Sequence, residues 1–70
     1  MALLPTRSEV LREALRSRHR EAFEKALGRA VRKLGGNFAE YVAIIAEVRD
    51  YGRVHKMDLR DAARSLANQP

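Results

Sequence analysis

Between positions 12 and 20 the chain places Arg12, Arg16, Arg18 and Arg20 against a single acidic residue, Glu13. A guanidinium forks onto two phosphate oxygens and sheds water more readily than an ammonium, so such a cluster suits a polyanion. The surplus is local. Residues 1–35 carry nine basic and four acidic side chains, whereas residues 36–70 carry five of each. A basic half beside a neutral half points to a polyanion partner more than to charge spread for solubility. The same residues also fit a solvated face in which Arg12 and Arg16 pair with Glu9 and Glu13 along a helix.

Other chemistries find little footing. With no cysteine, disulfides and thiolate metal sites are excluded, and the two histidines, His19 and His55, stand far apart in the chain. There is no Gly-rich phosphate loop and no nucleophile elbow. Ser17 and His19 are near neighbours, but no third group is placed to orient them. The expectation is a chain that is not an enzyme, with no metal, no cofactor and no small-molecule substrate. No apolar run approaches the roughly 20 residues that cross a bilayer, and no signal peptide is present, so a cytoplasmic protein without membrane contact is expected.

The elements that must position these arginines follow from the apolar spacing. Seventy residues allow one domain, 1–70, all-α and without strands of useful length. Thr6 or Ser8 can cap a first helix over about 6–16. Thr6 with Glu9 three residues on forms a capping box, and Val10, Leu11, Ala14 and Leu15 make its apolar face. From Phe23 a second stripe runs through Leu27, Val31, Leu34, Phe38, Val42, Ile45 and Val48 in steps of three and four without losing phase. Gly35-Gly36 lies in its middle, at a cost of about 2 kcal/mol relative to two alanines in a helix interior. The unbroken phase favours one long helix over about 20–49, against a break at the glycines. Asp50-Tyr51-Gly52 reads as the stop, and Arg53-Val54-His55-Lys56 as a short extended stretch. Asp58 then caps a last helix over about 58–67, whose inner face is Leu59, Ala62, Ala63 and Leu66.

A helix of 30 residues is about 45 Å long, and flanking helices of about ten residues cover about 15 Å each. The uncovered third would be centred on Leu34, Gly35 and Phe38. An apolar band there is unusual on a monomer, so a second copy crossing at the glycines is expected, with Val31, Leu34, Gly35, Phe38, Val42 and Ile45 as the dimer interface.

A short helix, a long central helix and a short helix in a paired chain of this size resemble the histone fold of archaeal-type single-domain histones. Ala26-Leu27-Gly28-Arg29-Ala30-Val31-Arg32-Lys33-Leu34-Gly35 is similar to the first half of that family's central helix. Val54-His55-Lys56-Met57-Asp58-Leu59 resembles the strip after its second loop. Two features depart from the family pattern: Tyr51 and Arg53 stand where an Arg-x-Thr pair is usual, and Arg29, Arg32 and Lys33 make the central helix basic. The resemblance implies an intertwined homodimer, with tetramers or higher assemblies left open, that binds and compacts double-stranded DNA without sequence preference and is nucleoid-associated. In that family the loops hold DNA by phosphate and minor-groove contacts. The matching DNA-binding residues would be Arg18, His19 and Arg20 in the first loop and Arg53, His55 and Lys56 in the second, with Arg12 and Arg16 touching phosphates from the first helix. The alternative is a helical protein–protein interaction module, a histone-fold heterodimer partner without DNA binding of its own.

Overall fold

The computed structural model describes residues 6–16 and 21–69. Four helices, α1 (Arg7–Leu15), α2 (Phe23–Lys33), α3 (Phe38–His55) and α4 (Leu59–Ala67), make an all-α unit, with no strand among the described residues.

The first and last helices begin where the sequence signals them. Glu9 N donates to Thr6 Oγ1 at 3.2 Å, and Thr6 N donates back to Glu9 Oε1 at 3.4 Å, completing the capping box. Asp61 N donates to the Asp58 carboxylate at 2.8 Å at the start of α4. Each cap satisfies amide donors that the first helical turn leaves without a partner.

The single helix expected over 20–49 is not formed; the chain breaks between Leu34 and Asn37. Gly36 N donates to Val31 O at 2.8 Å and Gly35 N to Arg32 O at 3.1 Å. That pair of bonds is a Schellman closure, which needs a left-handed residue just past the helix end. Gly35 supplies it with φ +84°. Gly36 supplies room, since a Cβ there would stand 2.9 Å from Val31 Cγ1 and 3.2 Å from Val31 O. Asn37 restarts the chain as the N-cap of α3, its side chain accepting from Glu40 N at 2.9 Å. A complete stop signal is thus joined to a complete start signal within four residues. The apolar phase continues across the break because both helices face one core.

A second expectation also fails. Asp50-Tyr51-Gly52 does not end the helix, and Arg53-Val54-His55 is helical rather than extended. Gly52 is buried inside α3, where a Cβ would lie 2.9 Å from Met57 O. Its missing side chain lets the next turn fold back against the helix. The helix ends instead at Lys56, which takes the left-handed conformation (φ 56°) while Met57 N donates to Gly52 O at 2.8 Å.

The helices pack in a ring: α1 lies on α2 and α4, and α3 on α2 and α4. Val10, Leu11 and Ala14 of α1, Phe23, Leu27 and Val31 of α2, Ile44, Ile45 and Val48 of α3, and Ala62, Ala63 and Leu66 of α4 fill the centre. The break therefore lets a single copy close its own core. Val31 and Ile45, expected at a dimer interface, are 2% and 4% exposed within it.

Candidate nucleic-acid interface

The arginines expected to contact DNA fall into three groups. Arg18, His19 and Arg20 lie outside the described residues. Arg12 and Arg16 are engaged within the chain: Arg12 Nη2 donates to Ala67 O at 3.4 Å, and Arg16 stands 3.7 Å from the Glu13 carboxylate. Arg12 thereby caps the last turn of α4, together with Arg7, whose Nη2 donates to Leu66 O at 3.5 Å. A cation at a helix C-terminus also complements the dipole. The third group, Arg53, His55 and Lys56, sits at the end of α3. Arg53 pairs with Asp50 one turn back, the His55 ring rests 4.2 Å from that of Tyr51, and Lys56 is exposed with no ion pair among the described residues.

Several other charges tie helices together. Arg7 bridges to Glu47, Lys33 to Glu13 at 3.0 Å, and Arg49 to Glu24 at 3.5 Å. Arg60 lies 5.9 Å over the Phe23 ring and donates to Glu21 O at 3.4 Å. Lys33, whose ammonium bonds to Glu13 and adds its charge, holds that carboxyl below the usual carboxylate range, and Arg16 assists.

Against this background one cationic row stands out. Lys25, Arg29 and Arg32 recur at i, i+4 and i+7, which sets them on one exposed face of α2, opposite Leu27 and Val31. Arg29 pairs with Glu21, whereas Lys25 and Arg32 have no acidic partner among the described residues. All three line a cavity of about 620 Å³ between α2 and the start of α3. Across from them is an aromatic ledge. Phe38 is 77% exposed, and its ring lies 6.0 Å from that of Tyr41 at an interplanar angle of 24°. Glu21 and Glu24 also border the cavity, each held by an arginine, Arg29 and Arg49 respectively.

The turn at Gly35 creates this arrangement, because a straight helix would carry Phe38 away from Arg32 instead of folding it beside the α2 row. Spacing alone marks Lys25 as the member of this row one turn before Arg29. Of the proposed interface set, Leu34 is half-buried, while Gly35, Phe38 and Val42 remain on the surface. Among the described residues no three His, Cys, Asp or Glu side chains gather in a way that could hold a metal ion. No described helix is long and apolar enough to cross a membrane. No protein-family model matches this chain, and no curated protein or solved structure matches it.

Proposed function

We propose that this chain binds double-stranded DNA without reading its sequence, through the phosphates. The observation that carries the reading is the exposed row Lys25, Arg29 and Arg32, two of whose members have no ion-pair partner among the described residues. Phosphate contacts position a protein on nucleic acid and carry no sequence information. Arg18 and Arg20 lie just before α2 in sequence and extend the same basic segment. Arg12, Arg16 and Arg53, being engaged within the chain, contribute less. The proposal keeps the polyanion partner and drops the intertwined pairing, which depended on an unbroken central helix. Compaction of DNA needs two such faces, and a second copy would supply the other.

Titration of a random-sequence duplex at 50 and 200 mM salt tests this. The two cations without an acidic partner, Lys25 and Arg32, neutralise two phosphates and give a slope near −1.8 in log K against log salt, or about 12-fold weaker binding at the higher salt. The double substitution K25A/R32A removes about 1.8 of that slope. A duplex bound equally at both salts, or equally by the double variant, overturns the assignment.

A second reading has its own observation. On α3, Phe38 and Val42 are 77% and 45% exposed, and Ala39, Ala43 and Ala46 are exposed beside them. This strip fits a protein–protein interaction module, with a second copy or another helical chain laid along α3. Sedimentation equilibrium separates the cases: a 7.9 kDa species leaves the strip without a second copy, whereas a species of about twice that mass covers it.

A further inference from the structure

We infer that the groove between α2 and α3 takes an unpaired nucleic-acid strand, with a base stacked on Phe38 and its flanking phosphates on Lys25 and Arg32. The inference rests on the nucleic-acid reading above and adds to it a site for a second strand form.

Phe38 is the most exposed large apolar side chain among the described residues. The other phenylalanine and tyrosine rings are not presented this way: Phe23 is buried, and Tyr41 and Tyr51 are half-buried. Tyr41 stacks loosely against Phe38, with ring centroids 6.0 Å apart, and most of the Phe38 ring stays open. A flat ring exposed in this way at the lip of a cavity is a stacking platform. Every base has a π-face, so such a platform tolerates any sequence.

The cations stand where a strand's backbone would run. Lys25 and Arg32 are seven residues apart, about 10 Å along the α2 axis, which is the rise of about three phosphates in a stacked strand. The carboxylates of Glu21 and Glu24 border the groove, but each is paired, with Arg29 and Arg49. Asn37 lines the same cavity. The cavity of about 620 Å³ is on the scale of a small-molecule site, suited to a base and its sugar and far too small for a duplex. A duplex moreover keeps its bases stacked on one another and offers only their edges in the grooves. Stacking on Phe38 therefore selects unpaired strands, while the α2 row alone serves duplex phosphates.

Fluorescence anisotropy with a labelled 15-nucleotide oligo-dT and with a 15-base-pair random duplex provides the test, at one low salt concentration. Because Phe38 is largely exposed, F38A folds as the wild type does, which circular dichroism checks. F38A is expected to weaken oligo-dT binding about tenfold and to leave the duplex within about twofold, while F38W restores the single-strand affinity. K25A/R32A weakens both. An F38A variant that binds oligo-dT as well as wild type, or that loses both forms equally, overturns the inference. So does an F38A variant whose only change is conversion of a dimer to a monomer, which would assign Phe38 to the α3 strip. Wild type that binds duplex but not oligo-dT overturns the groove alone. Wild type that binds neither overturns the nucleic-acid reading beneath it.

Discussion

Gly35-Gly36 and Gly52 pose the same question to the chain and receive opposite answers. Both interrupt an otherwise helical pattern, and both follow a segment that could end there. At Gly35 the backbone turns left-handed (φ +84°) and α2 stops; at Gly52 the helix continues for another turn. The difference lies in what surrounds each glycine. Gly35 is followed by a second glycine and then by Asn37, a residue that opens a new helix by accepting the Glu40 amide. Gly52 is followed by Arg53-Val54-His55, with no cap, and its missing Cβ leaves room for the Met57 carbonyl, five residues on, as the chain folds back. Here the glycine that ends a helix is the one whose following residues start another, and the glycine that stays helical is the one whose missing Cβ makes room for the chain to fold back.

That contrast can be broken at either end. The largest effect is expected from Gly52→Ala, because its Cβ would meet backbone at 2.9 Å in a buried setting. Overpacking there should cost about 2–3 kcal/mol, read as a lower urea midpoint, and a variant of unchanged midpoint would show that the Met57 carbonyl moves aside freely. Gly35→Ala should cost about 1–2 kcal/mol for its left-handed backbone. Gly35→Asn should cost less, since asparagine tolerates that region, and equal losses for the two would mean that conformation is not what Gly35 supplies.

A smaller effect of opposite sign is expected at Lys56, the non-glycine residue in the left-handed region among the described residues. Lys56→Gly relieves about 1–2 kcal/mol of strain and adds about 0.5–1 kcal/mol of chain entropy cost, for a net gain of about 0.5 kcal/mol in stability, read as a higher urea midpoint. The smallest concerns Lys33, the last residue of α2 before the stop. Its bond to Glu13 lowers that carboxyl's pKa in the folded chain. The stabilisation is present above the unfolded-state pKa of Glu13 and fades as pH falls through its folded value. Lys33→Gln should return the Glu13 titration, followed by NMR, toward the ordinary range and flatten the acid limb of stability. A Glu13 curve unmoved by the substitution would deny that Lys33 is the cause.

These cases also mark what could be read from the chain directly. The caps at Thr6 and Asp58 were legible because each is a local rule, a side chain answering an amide three residues away. The stop at Gly35 was misread because an apolar stripe in constant phase is satisfied equally by a straight helix and by two helices folded onto one core. Gly52 was misread because its role depends on Met57, which approaches only when the chain reverses. The candidate site shows the same division. Arg29 and Arg32 could be recognised as a basic stretch, but their meeting with Phe38 and Tyr41 exists only once the turn has formed. Arg12 was legible as a cation and not as a cap, since the Ala67 carbonyl it reaches lies 55 residues away.

The arginines of α1 that reach the end of α4 have a kinetic consequence. Three of the ring's four contacts join helices consecutive in the chain and can form with short loops, whereas α1 on α4 closes nearly the full length. Loop closure costs more as the loop lengthens, though only logarithmically, so the α1–α4 seam is expected to close last. The hydrogen bonds from Arg7 and Arg12 then act as a clasp on a chain whose consecutive helices have already met.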